Sequence, residues 1–348
     1  MRKQYEKEHI DHVKELTDKL EAGVKDIFNN PNKANGFDVE NYKRYLDAVS
    51  KFHSYSYRNC MLIQMQNPEA SLVAGYKAWE RDHERHVKKG EKAIKILAPN
   101  PYKKTVERYK LDPETHLPIE DENGNYIKEK AVETFQSYRQ VSVFDVSQTE
   151  GKELPRELSH FTREIAGDVE NFEKLMKAIE EVSPTKIDHA RIYNGAHGYF
   201  YAAGDDRKIV VNEGMSQVQD FKTTLHEVAH AFLHDPHTGT EKDNDLTRNE
   251  KEVQAESVAY VVCQHFGIDT GDYSFSYVGN WSSGKDLKDL TASMETIRKT
   301  ASEFITSIEE KLHEMERTME APEQMHEQTK IELTAANTRQ QQQIEHSR

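Results

Sequence analysis

Two histidines four residues apart, with a glutamate directly after the first, constrain this chain more than any other stretch: His226-Glu227-Val228-Ala229-His230. Side chains at i and i+4 lie on one face of a helix, one turn apart. Two imidazoles so placed can grip one Zn²⁺, and the glutamate beside them can polarise a water in the open coordination position. The flanking residues predict the helix independently. Leu225, Val228, Ala229 and Phe232 recur at i, i+3, i+4 and i+7, an apolar stripe that turns His226 and His230 to the opposite side. Neither Gly nor Pro interrupts residues 217–234. An amphipathic core helix with polar histidines at its rim carries the same stripe; a third ligand separates the two readings.

That ligand is expected on a second helix. Ala255, Val258, Ala259 and Val262 mark its apolar face, and Glu252 and Glu256 stack one turn apart on it. Glu252 completes a His₂Glu site, and Glu256 then stands behind it, accepting the far N–H of a ligand imidazole. The reverse order of the two carboxylates is the alternative. The longer pattern H-E-x-x-H-x-x-G-x-x-H fails, because Leu233 stands at its Gly and Pro236 at its third His. His234 and His237 therefore read as surface or pocket histidines. The helix pair resembles the zincin metallopeptidases that take a glutamate from the helix after H-E-x-x-H. That resemblance implies a strand along the cleft, for which Lys208, Ile209, Val210 and Val211 are expected, with Gly198, Tyr199, Phe200 and Tyr201 as hairpin partner. Glu227 is the expected catalytic base, and His234 and Tyr260 are the candidates for steadying an oxyanion.

Composition bounds the rest. No apolar run approaches the ~20 residues of a membrane span, and the first ten residues are too charged for a secretory signal. Two cysteines, Cys60 and Cys263, match no zinc or disulfide framework, which fits a reducing cytoplasm. A net charge of −14 argues against generic nucleic-acid binding, but its distribution is uneven. Residues 51–110 hold thirteen Lys/Arg against six Asp/Glu, a local excess of seven. Rings are interleaved there: His53, Tyr55, Tyr57, Tyr76, Trp79 and Tyr102. Cations that track a phosphate backbone, with rings on which bases stack, are what single-stranded DNA binding needs. Basic side chains on a solvated face with rings in the core give the same composition.

Four blocks occur in order through this region. They are Tyr55-Ser56-Tyr57-Arg58-Asn59-Cys60-Met61-Leu62-Ile63, Leu72-Val73-Ala74-Gly75-Tyr76-Lys77-Ala78-Trp79, Val87-Lys88-Lys89-Gly90-Glu91-Lys92-Ala93-Ile94-Lys95-Ile96 and Val143-Phe144-Asp145-Val146-Ser147-Gln148-Thr149-Glu150-Gly151. Together they resemble the N-terminal single-stranded-DNA-binding domain of the ArdC antirestriction family, from about residue 37 to 151. The resemblance implies an α+β protein of bacterial conjugative elements, with a DNA-binding module followed by a zincin-like metallopeptidase domain. Tyr55, Tyr57, Arg58, Asn59, Trp79, Lys88, Lys89, Lys92 and Lys95 are then expected at DNA, and His226, His230 and Glu252 at Zn²⁺. Two functions stay open: a DNA-tethered metallopeptidase, or a non-proteolytic antirestriction protein that coats single-stranded DNA and keeps its zincin domain as structure only.

The chain order expected is an N-terminal helix within 1–36, the DNA-binding domain at 37–151, the zincin-like domain at 152–283, an amphipathic helix at 284–320 and a disordered tail at 321–348. Within the first domain, strands are predicted at 93–97 and 138–146. Between them, 101–134 reads as an inserted β-ribbon, with Asp121-Glu122-Asn123-Gly124-Asn125 as its hairpin signal. A linker is expected at 152–160 and a helix at 161–182.

Overall fold

The computed structural model describes residues 2–33, 35–154, 169–237, 246–268, 271, 273, 275 and 278–345. It is a mixed α/β chain. Its helices are α1 (Arg2–Phe28), α2 (Val39–Lys51), α3 (Tyr57–Gln66), α4 (Tyr76–His83), α5 (Val169–Val182), α6 (Gln217–Leu233), α7 (Arg248–His265), α8 (Val278–Ser282) and α9 (Leu287–Glu345). Its strands are β1 (Val73–Gly75), β2 (Arg85–Val87), β3 (Ile94–Pro99), β4 (Tyr102–Tyr109), β5 (Lys128–Phe135), β6 (Tyr138–Asp145), β7 (Thr149–Gly151), β8 (Ile187–Ala190), β9 (Gly198–Ala203) and β10 (Asp206–Asn212). Two units result: Met1–Asn29 with Tyr57–Glu153, and Asn30–Ser56 with Leu154–Arg348.

In the first unit an antiparallel sheet of order β1-β6-β3 forms the centre. The apolar stripe of α1 buries Leu16, Leu20, Val24, Ile27 and Phe28, and α3 buries Cys60, Met61, Leu62 and Ile63. The two helices approach closely at Gly23, where a Cβ would come 3.0 Å from Met61 and Met65. Strand β3 lies at the edge of the sheet, and its free edge is closed by side chains. Asn59 donates to Leu97 O (2.9 Å) and accepts from Leu97 N (3.0 Å); Gln66 does the same for Lys95 at 2.8 and 2.9 Å. Seven residues are two helical turns, so both amides project from one face of α3. Trp79 is fully buried, and its indole N–H donates to Phe144 O at 2.9 Å. The expected inserted ribbon is the antiparallel pair β4–β5, whose residues are mostly exposed or half-exposed.

The second unit has a three-stranded sheet of order β8-β10-β9, with β8 parallel and β9 antiparallel to the central β10. Helix α6 packs on this sheet. Its Leu225, Val228 and Ala229 are buried as expected, while Phe232 is 42% exposed and meets Phe304 edge-on. Helix α7 is buried over most of its length, with Val253, Gln254, Ala255 and the run from Ser257 to Cys263 inside. Helices α2, α6 and α9 surround it.

Two expectations about organisation are corrected. Helix α2 belongs to the second unit, not to a domain starting at 37: Tyr42 bonds Ser257 at 2.8 Å, Tyr45 donates to Met294 O at 3.1 Å, and Tyr260 donates to Asp47 at 2.8 Å. Periodicity shows that α2 needs an apolar partner but not which one. The expected disordered tail is instead a continuation of α9 to Glu345. Its Glu, Gln, Ala, Lys and Met residues are strong helix formers, which extend a helix without any apolar stripe. Residues 155–160 of the expected linker and the start of the helix before Val169 lie outside the described residues. Among the described residues no helix is long and apolar enough to cross a membrane.

Candidate metal centre

Helix α6 starts at Ser216, whose hydroxyl accepts from Gln219 N, and α7 starts at a capping box of Thr247 and Glu250. Both starts set the rotation of the helices and hence the direction of the site residues. His226 and His230 project from α6 with their Nε2 atoms 3.1 Å apart. From α7, Glu252 Oε2 lies 3.4 Å from His226 Nε2 and 3.5 Å from His230 Nε2. Four-coordinate zinc places donors ~2.0–2.2 Å from the ion, so donors about 3.3 Å apart surround one common point. The three atoms fit that requirement. Glu256 sits one turn along α7, with Oε2 2.9 Å from His226 Nδ1 on the opposite side of the ring, off the direction of a hydrogen bond. The geometry therefore favours Glu252 toward the common point and Glu256 behind it.

The charges follow. Burial pulls His226 down, but Glu252 and Glu256 outweigh it and hold the imidazole up at about 10. The two histidines hold the Glu252 carboxyl far below its ordinary value. Burial pushes Glu227 up against the pull of His226 and His230. The backbone of Phe200 on β9 counters part of that rise. Gly198 makes the approach of strand and helix feasible, since a Cβ there would stand 2.7 Å from Thr223 and 3.2 Å from the Glu227 side chain. The expected hairpin of β9 and β10 forms, but the strand beside the site is the edge strand β9, not the central Lys208–Val211 segment. A cleft of about 420 Å³ opens there, lined among others by His197, Gly198, Gln219, Lys222, Glu227 and Tyr273. Lys222 lies one turn before His226 on the same face, a signal present in the sequence; His197 and Tyr273 come from segments that carry no such pattern.

Two predicted roles shift. Tyr260 is buried and donates to Asp47, away from the centre. His234 is also buried, with Nδ1 3.0 Å from His230 Nδ1 and Nε2 3.1 Å from Gln254 Oε1. It is neither a surface histidine nor placed to steady an oxyanion. A second His–Glu group, His53, His265 and Glu309, has a simpler explanation. His265 lies between Ser50 O (2.8 Å) and Glu309 (2.9 Å), so both its ring nitrogens have protein partners.

The residues expected at DNA divide. In the first unit Lys88, Lys89 and Lys92 are exposed, and Lys95 is half-buried with its ammonium on Ser142 at 2.8 Å. Tyr57 and Arg58 are half-buried, with the Arg58 guanidinium over the rings of Tyr57 and Tyr138. Trp79 and Asn59 are inside, one as core and the other as the β3 edge clamp, so neither offers a surface to a base. Tyr55 belongs to the second unit, where it packs edge-on to Phe52. Exposed rings of the first unit not foreseen are Tyr109, Tyr126 and Tyr138, all on or near the ribbon.

The elements define a two-unit α/β protein with a His₂Glu cluster beside an edge strand and a separate unit presenting lysines. Residues 6–144 match the family model for the N-terminal domain of anti-restriction factor ArdC. An uncharacterized protein of Bacillus anthracis is 30% identical over 340 residues, which cover 90% of this chain. The chain spans 54% of the length of that relative. Crystal structures of the antirestriction protein ArdC from plasmid R388 were also found. The metal-free form has 18% identity and a TM-score of 0.45, covering 80% of this chain and 99% of that one. The Mn(II)-bound form has 17% identity and a TM-score of 0.43, covering 79% and 98%.

Proposed function

We propose that this chain is an antirestriction protein of a bacterial mobile element that binds single-stranded DNA and hydrolyses peptide bonds at a zincin-like centre. The observation that carries the enzymatic part is the convergence of His226 Nε2, His230 Nε2 and Glu252 Oε2 at donor spacing, with Glu227 beside them on the cleft. His226, His230 and Glu252 would hold Zn²⁺. The ion, when bound, supplies Lewis acidity that lowers the pKa of a coordinated water toward ~7. Glu227 would serve as the proton acceptor beside the site, its proton affinity raised by burial. Edge strand β9 lies along the cleft, where an extended peptide can pair with it by main-chain hydrogen bonds. Lys88, Lys89 and Lys92 supply phosphate contacts, and exposed rings of the first unit supply stacking.

Metal analysis of the purified chain, then a peptidase assay with and without single-stranded DNA, tests this. Glu227→Gln should keep the zinc and lose hydrolysis, because that side chain acts on water and not on the metal. Zinc at full stoichiometry and affinity in His226→Ala/His230→Ala would remove the centre. Full protection of DNA from a restriction nuclease by Glu227→Gln would instead place the function in coating the strand.

A further inference from the structure

Along β6, the central strand of the first unit's sheet, side chains alternate between two sides. We propose that the outward side is the bed of a single-stranded nucleic acid, with Tyr138 at one end and Tyr76 at the other each taking a base, and Lys95 between them meeting phosphate. This deepens the single-strand reading of the first unit and rests on it.

On the inward side Val143 is buried and pairs with Ile94, which is buried too. On the outward side Tyr138 and Ser142 are exposed, and Gln140 and Phe144 are half-buried. Lys95 on β3 pairs with Ser142, shares its side, and donates from Nζ to Ser142 Oγ at 2.8 Å. Tyr138 is 40% exposed, and the Arg58 guanidinium backs its ring at 5.4 Å from the centroid. At the far end Tyr76, 50% exposed, meets Phe144 edge-on at 6.1 Å. Its place is fixed from inside, since Trp79, further along α4, is buried and donates to Phe144 O. Six residues of strand at ~3.4 Å each set Tyr138 and Phe144 about 20 Å apart. Charge agrees with the rings. The chain carries −14, yet none of the described residues on the outward side of β1, β3 and β6 is Asp or Glu. The carboxylate of β6, Asp145, is 1% exposed and lies on the inward side. A polyanion laid along this row meets no like charge from the strands. Bases inside a duplex are already stacked on both faces, so rings set this far apart select a single strand.

The test uses the full chain with a fluorescent oligothymidylate long enough to reach both rings, and a hairpin duplex, at one fixed salt concentration. Circular dichroism shows that each variant is folded. Tyr76→Ala and Tyr138→Ala should each weaken oligothymidylate binding about 5- to 150-fold, the range for one stacked base. The two losses should multiply in the double variant, because the rings are too far apart to couple. Ser142→Glu sets a carboxylate at an exposed position in the middle of the row and should weaken binding roughly tenfold or more, since like charges brought together cost affinity. Without any substitution, ultraviolet cross-linking of the wild-type complex, read by peptide mass spectrometry, should join the oligonucleotide to the peptides that hold Tyr76 and Tyr138. Wild-type affinity in Ser142→Glu overturns the path, as do cross-links confined to other peptides or equal affinity for the hairpin duplex. A wild-type chain that binds no oligonucleotide marks failure of the single-strand reading itself, and the path falls with it.

Discussion

The two carboxylates of α7 should differ sharply when each is removed. Glu252 Oε2 faces both ligand Nε2 atoms at 3.4 and 3.5 Å, so Glu252→Ala deletes one of three protein donors. Glu256 Oε2 faces the opposite nitrogen of His226 at 2.9 Å, so Glu256→Ala leaves all three donors and removes only the group behind one of them. Loss of such an outer partner typically costs ~10–100-fold in affinity. At 1.4 kcal/mol per decade that is about 1.4–2.8 kcal/mol. Glu252→Ala should fall beyond the weak end of that range, and Glu256→Gln, which keeps an accepting oxygen, should fall between wild type and Glu256→Ala. Zinc titration of the full chain against a chromophoric chelator measures all three, with circular dichroism confirming that each variant is folded. A Glu256→Ala loss larger than that of Glu252→Ala would reverse the two roles. A Glu252→Ala affinity within tenfold of wild type would refute a three-ligand centre.

Trp79→Ala should unfold the first unit rather than weaken a folded DNA site, at a cost of ~3–5 kcal/mol for a buried large aromatic; a folded variant that has merely lost DNA affinity would contradict its burial. Tyr138→Ala, in contrast, should leave the fold intact and cost up to ~1–3 kcal/mol of single-strand binding, the range for stacking on one base; unchanged affinity would exclude that ring from the contact. Replacing Lys88, Lys89 and Lys92 together by Ala should flatten the salt dependence of binding by about 2 for three lost phosphate contacts, and a slope unaltered in a titration series would exclude the lysines from phosphate contact. The buried Asp145 carboxyl is pushed up by desolvation but held below its ordinary 3.8 by bonds from Ser147, Ser71 and Leu72. Its contribution is therefore present above about pH 3.8 and lost as pH falls through the lower folded value, so Asp145→Asn should flatten thermal melts between about pH 5 and pH 2; equal slopes would show that another group governs acid unfolding.

The His–Glu cluster was the most legible part of the sequence because its spacing is enforced by helix geometry alone. His226, His230, Glu252 and Glu256 are i, i+4 pairs on two helices, and only the packing of α6 against α7 had to be supplied by the fold. What could not be read were relations between segments distant in sequence. The stripe of α2 fits any apolar partner, and its partners prove to be α7 and α9. Alternation shows that β9 and β10 are strands but not which one is central, since that depends on β8 pairing in parallel with β10. Trp79 sits among lysines in the sequence and inside the core in the fold. An aromatic ring beside cations has the same composition in either place, and only the Phe144 carbonyl that receives its N–H tells them apart. His234 was misread for a related reason: its partner Gln254 is on another helix, and nothing in the local pattern announces it.

The amide clamp on β3 also bears on how the first unit meets other copies of itself. A strand with unpaired N–H and C=O groups along its rim is a template for the strand of a neighbouring chain. Asn59 and Gln66 occupy the groups of Leu97 and Lys95 that would otherwise serve as that template. The side chains thus end the sheet as a further strand would continue it. A closed rim keeps high local concentration from turning into self-association, and Asn59, one of the residues expected at DNA, is committed to that edge instead.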